Sequence, residues 1–204
     1  SNTGVVLQSS GAGTVVSSTV LNIRALSIQN GQLYFGTAAG TSRGIYAVGT
    51  GLPTTAATTS TLAINVGATT ASNQFSINAA GTVCYIADDA TGGGIRKMTF
   101  DGTSWTQAYI LNSTLCRGLV VDYSAANPTT GVGAVVYVTT TATSANKIIS
   151  VTDAGSAGAT STDVATAPAN TAFRGLAFAP VASGCTPTAS TTNTTICSNQ
   201  LPYS

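Results

Sequence analysis

Apolar and small polar residues alternate along this chain in short runs, and the runs are separated by turns rich in Gly, Asn and Asp. Alternation with period two, dense in β-branched residues, predicts half-buried strands. No stretch sustains the 3.6-residue spacing of an amphipathic helix, so the reading is all-β. One apolar run returns four times at intervals of roughly fifty residues, a period typical of repeat architectures. It reads Asn22-Ile23-Arg24-Ala25-Leu26-Ser27-Ile28, Ser72-Asn73-Gln74-Phe75-Ser76-Ile77, Leu115-Cys116-Arg117-Gly118-Leu119-Val120-Val121 and Ala172-Phe173-Arg174-Gly175-Leu176-Ala177-Phe178. The first three copies are each followed by a second strand centred on a Tyr (Tyr34, Tyr85, Tyr137). A third strand (44–48, 94–98, 147–151) and a weaker fourth then lead into the next copy. Four short antiparallel strands per repeat predict the blades of a β-propeller.

On this reading residues 1–180 hold the propeller portion. About three complete blades lie at 22–66, 71–111 and 115–169, with partial blades at 1–20 and 171–180. Residues 181–204 form a tail containing Cys, Pro and Thr. Three blades are fewer than the four or so that close the smallest usual ring. Open strand edges and uncovered blade faces are expected, and with them a partner: further propeller chains, or copies of this one.

Composition sharpens the picture. Only 6% of the 204 residues are charged, against about 25% in an ordinary domain. The carboxylates are six Asp with no Glu, and there is no His. A net charge of +1 spread over scattered basic residues offers no footprint for nucleic acid or anionic lipid. No apolar run approaches the roughly 18 residues that a membrane span needs, and with no charged-then-apolar leader before Ser1 the chain is expected to be a processed product. Four cysteines in such a background point to an oxidising compartment. Cys185 and Cys197 are expected to bridge within the tail, leaving Cys84 and Cys116 to pair with each other or to stay as buried thiols; other connectivities stay open. Asn112-Ser113-Thr114 and Asn193-Thr194-Thr195 are N-glycosylation acceptor triplets at Asn112 and Asn193. Thr-rich runs such as 54–60 and 187–192 suit O-linked sugar.

Several segments resemble a known family. Gly31-Gln32-Leu33-Tyr34-Phe35-Gly36-Thr37, residues 48–55, Tyr85-Ile86-Ala87-Asp88-Asp89 with Gly92-Gly93-Gly94-Ile95, and residues 169–175 are similar, in order, to uncharacterised secreted Ala/Gly/Thr-rich repeat proteins of bacteria and algae. Those proteins look like seven-bladed propellers. The resemblance implies that this chain matches their C-terminal half and that N-terminal strands would complete the last blade. It carries no reaction and no catalytic residue, and the tail with Cys185 and Cys197 departs from it.

Four features hold candidate chemistry. Gly40-Thr41-Ser42-Arg43-Gly44 has the spacing of a nucleophile elbow, but a strand follows where that motif needs a helix, and no His exists to act as base. Asp88 and Asp89, before a Gly-rich turn, could bind Ca²⁺ with loop carbonyls, or accept backbone N–H groups in the turn. Arg24, Arg117 and Arg174 hold equivalent positions at the start of the first strand, so their guanidinium groups could ring one mouth of a channel and hold an anion or carboxylate. The competing role is to bond carbonyls of the neighbouring blade. The recurring Tyr34, Tyr85 and Tyr137, with Tyr46, read as packing between blades rather than as a sugar platform. The expected function is therefore structural, without catalysis: an extracellular glycoprotein assembling into a surface layer, wall or filament. A glycan- or small-anion-binding module is the alternative.

Overall fold

The computed structural model describes residues 3–8, 10–39 and 43–179. Among the described residues there is no helix, and fourteen strands follow one another in chain order. The strands β1 (Val5–Leu7) and β2 (Thr14–Ser17) pair as a two-stranded sheet. A first four-stranded sheet holds β3 (Ile23–Gln29), β4 (Gln32–Thr37), β5 (Gly44–Val48) and β6 (Ser60–Asn65). A second holds β7 (Ser72–Ile77), β8 (Val83–Asp88), β9 (Gly94–Phe100) and β10 (Trp105–Asn112). A third holds β11 (Cys116–Asp122), β12 (Val135–Thr140), β13 (Lys147–Thr152) and β14 (Ser161–Thr166). Each is an antiparallel meander in which sequence neighbours are sheet neighbours. This arrangement is blade-like, consistent with the sheets of a propeller.

Turn chemistry explains the tight connections. Asn30 and Gly31, both at positive φ (50° and 76°), form the two-residue loop between β3 and β4. Between β9 and β10, Asp101 accepts the backbone N–H groups of Thr103 and Ser104 at 2.8 Å each, beside Gly102 at positive φ. A second recurrent device lies in the first strand of each four-stranded sheet. The register slips between Ile23 and Ala25, between Ser72 and Phe75, and between Cys116 and Leu119. These irregularities fall on the repeated Arg24, Asn73 and Arg117 positions, where a bulge re-aims the side chain.

The sheets pack face to face through three apolar layers. Val5 and Val16 of the hairpin meet Phe35, Tyr46 and Val48 of the first sheet. Ile45 and Ile64 of that sheet meet Phe75, Cys84, Ile86 and Met98 of the second. On the opposite face of the second sheet, Val83, Tyr85 and Ile95 meet Cys116, Leu119, Val136 and Val138 of the third. Alternate residues of one strand thus serve opposite layers. The first strands lie side by side, β7 contacting both β3 and β11.

This layering corrects the expected Cys84–Cys116 bridge. Both residues are free thiols, and they belong to different layers on opposite faces of the second sheet. Layers about 10 Å apart cannot bring two Cβ atoms to the roughly 4 Å that a disulfide requires. Residues 171–179, expected to open a further blade, form no ladder. They dock on the third sheet through one backbone bond, Ala145 N to Thr171 O (2.8 Å), and through side chains: Asn146 Nδ2 donates to Phe173 O (2.8 Å), Phe173 N donates to Asn146 Oδ1 (2.7 Å), and Thr139 Oγ1 donates to Arg174 O (3.2 Å). Pro180 and the tail, with Cys185, Cys197 and Asn193, lie outside the described residues.

Candidate functional site

The bulged starts of the first strands converge on one carboxylate. Asp89, just beyond β8, accepts a hydrogen bond from Arg117 Nε at 2.7 Å on Oδ2 and from Asn73 Nδ2 at 2.9 Å on Oδ1. Burial, the largest single influence, pushes the Asp89 carboxyl up. The bonds from Arg117 and Asn73, with the charges of Arg117 and Arg24, together hold it below its ordinary 3.8. In the second repeat, Asn73 at the Arg position shares Asp89 with Arg117. Arg24 and the side chain of Arg174 are exposed. The backbone at Arg174 and Gly175 passes beside Gly118, where an added Cβ would meet Arg174 O at 2.9 Å. Gln74 ties the neighbouring strands: its Nε2 donates to Leu176 O at 2.9 Å, and its Oε1 accepts from Leu119 N at 3.2 Å. The structure thus brings Arg24 and Arg117 around Asp89, with the segment bearing Arg174 alongside.

Asp88 belongs to a different arrangement. Its Oδ1 accepts Ala71 N (2.8 Å) and Ala90 N (2.9 Å), and its Oδ2 accepts Arg96 Nε (2.7 Å) in an almost solvent-free ion pair. Arg96 also reaches Gln107 Oε1 at 2.6 Å. Every carboxylate oxygen of Asp88 and Asp89 already faces an N–H donor, so the pair weighed for Ca²⁺ makes two separate ion pairs in this structure. Among the described residues no group of three or more Asp, Glu, Cys or His side chains gathers.

A further polar cluster lies between the second and third sheets. Asp153 is buried and takes four donors: Lys97 Nζ and Tyr85 Oη, each 2.5 Å from Oδ2, and Tyr109 Oη (2.7 Å) and Gly155 N (2.8 Å) at Oδ1. Burial pushes Asp153 up most strongly, but Lys97, the two Tyr hydroxyls and Gly155 outweigh it and hold the carboxyl below 3.8. Burial, with the bond to Asp153, pushes both Tyr phenols well above their ordinary range. Lys97 Nζ also sits 5.0 Å from the Tyr109 ring centroid. Sequence reasoning missed this cluster. The available signal was Arg96-Lys97 inside the apolar run of β9, since buried cations require buried partners.

The remaining candidates make the following contacts. Tyr85 is in the core, Tyr46 stacks on Phe35 with centroids 5.3 Å apart, Tyr34 packs against the layer between the first two sheets, and Tyr137 meets Phe178 edge-on. Residues 40–42 of the elbow-like segment lie outside the described residues, while Arg43 Nη1 donates to Thr70 O at 2.9 Å and Gly44 opens β5. Asn112 is partly buried, and its Nδ2, the atom to which a glycan would attach, donates to Ala159 O at 2.8 Å. Glycosylation there would replace one of the two Nδ2 hydrogens and set the sugar beside that tether. Burial pushes the Cys116 thiol up to about 12 and the Cys84 thiol higher still, so both are held as unreactive thiols.

Fold and site together define an all-β protein of repeated, blade-like antiparallel sheets. Compared with family models, curated proteins and solved structures, the chain gives no match.

Proposed function

We propose that this chain is a β-propeller portion with a structural role, joining other propeller chains or copies of itself in an extracellular layer, wall or filament. The observation that supports this most directly is an unfinished sheet at each end. The hairpin β1–β2 has two strands where its neighbours have four, and residues 171–179 lie against the third sheet without a ladder of their own. Unpaired edges beside apolar surface are places where another chain adds on. The rest of the molecule is consistent with this role: of six Asp, four sit in ion pairs and two cap turns. Secretion and attached sugar fit the low charge and the Thr-rich sequence. Native material tests the reading through its intact mass before and after deglycosylation and through the polypeptides that co-purify with it. An assembled, sugar-bearing species is expected; a bare single chain would overturn the proposal.

The alternative is binding of a small anion or an acidic glycan at the arginine end. The exposed guanidinium groups of Arg24 and Arg174, near an Arg117 only partly neutralised by Asp89, favour it. Arg24→Ala and Arg174→Ala would then each weaken binding on an array of acidic sugars. Unchanged binding, or none in the parent chain, would remove this reading.

A further inference from the structure

The repeat itself specifies what covers the open end of the first sheet. Leu26 and Ile28 of β3 occupy the motif positions held by Phe75 and Ile77 in β7 and by Leu119 and Val121 in β11. In the second and third sheets these positions are 2%, 8%, 1% and 8% exposed, because the preceding sheet packs over them. Leu26 and Ile28 are 52% and 60% exposed. They line an apolar groove of about 280 Å³ together with Val6 and Leu7 of β1, Leu33 and Leu52. The groove runs between β1 and β3, where the inner strands of a complete preceding sheet would lie.

The opposite end of the molecule shows the complementary half of the same contact. Val83, Tyr85 and Ile95, which face the third sheet from the second, are fully buried. By ladder register their counterparts in the third sheet are Val135, Tyr137 and Ile148, and all three remain partly exposed. Against this face lies the segment 171–179, with the motif Arg174-Gly175-Leu176 of a first strand but no ladder partner. One end therefore offers the outer two strands of a sheet, and the other offers an inner strand. In this structure the segment is held to the third sheet by Thr139 and Asn146 and to β7 by Gln74, and none of its residues lines the groove.

We infer that a second copy of this chain is the occupant. Its 171–179 end seats in the groove between β1 and β3, so that its third sheet continues the stack of the first copy. This rests on the assembly reading above and names its partner and contact. The contact is heterologous, head to tail, and so builds rings or filaments rather than closed two-fold dimers.

Two variants of the 204-residue chain test it by sedimentation against concentration. Leu26→Asp with Ile28→Asp damages the groove, and Phe178→Asp damages the inserted end. All three residues are exposed, so the fold is expected to survive, and circular dichroism checks this; Leu26→Gln with Ile28→Gln is the milder substitute. Each variant alone is expected to associate at least about tenfold more weakly than the parent chain. Mixing the two restores dimers and nothing larger, because one intact end of each remains. A parent chain that stays monomeric at every concentration, variants that associate normally, or a mixture that does not pair would each overturn the inference. If the parent alone is monomeric but native material contains a different polypeptide, the second-copy assignment fails while the assembly reading stands. If native material is also a single chain, both fail.

Discussion

Asp153 illustrates how this chain uses its few charges. An ammonium and a carboxylate with almost no solvent access are stable only when their remaining hydrogen-bonding capacity is filled, and Tyr85, Tyr109 and Gly155 fill it. Asp153→Ala leaves Lys97 and two phenols buried without their acceptor, and is expected to destabilise the fold by about 3–5 kcal/mol in urea titrations. Arg117→Ala, at the half-exposed pair with Asp89, should cost about 1 kcal/mol or less. The pH response follows from the same groups. Asp89 and Asp153 are held below their ordinary 3.8, so the stability they supply is complete above that value and is lost as pH falls through their lower folded values. With neither His nor Glu in the chain, denaturation midpoints should be flat from about pH 5 to 8 and fall only in stronger acid. A midpoint that slopes through neutrality would contradict this assignment. Cys84 and Cys116 should resist alkylation in the native state and react on unfolding, as a timed mass measurement would show.

At the scale of the element, one motif position has two energetic values. Leu119→Ala opens a cavity in a packed layer and should cost about 2–5 kcal/mol, whereas Leu26→Ala at the equivalent position should stay within about 0.5 kcal/mol for the isolated chain. Equal costs in denaturant titrations would mean that Leu26 is already covered. The strands themselves were legible in sequence because alternation and turn residues such as Asn30-Gly31 are local signals. The facing of individual side chains was not. Register slips at Arg24, Asn73 and Arg117 change which side a residue takes, and only Gly118 hints at one of them. Assigning Cys185 and Cys197 to each other leaves Cys84 and Cys116 as a pair or as buried thiols; the second sheet stands between their layers, and the buried-thiol alternative is the one seen. The Lys97–Asp153 contact spans 56 residues and depends on two sheets meeting, so neither local sequence predicts the other. Residues 171–179 carry a first-strand motif, but a ladder needs a partner strand that the motif cannot supply.

At the scale of the whole molecule, three four-stranded sheets pack in series among the described residues, with a two-stranded hairpin before them and a segment without a ladder after them. A repeat unit buries its faces only against neighbours, so terminal units must be capped, covered or joined. The hairpin β1–β2 covers the outer part of the first sheet, at Phe35, Tyr46 and Val48, and leaves the inner part at Leu26 and Ile28 open. An apolar opening of this kind on a chain of such low charge is the central reason for assigning it to an assembly. Light scattering of the purified 204-residue chain over a wide concentration range tests most directly the claim that copies of it join one another. The account predicts a mass that rises above the 20.2 kDa of one chain as concentration increases. A mass that stays at the single-chain value throughout would contradict it.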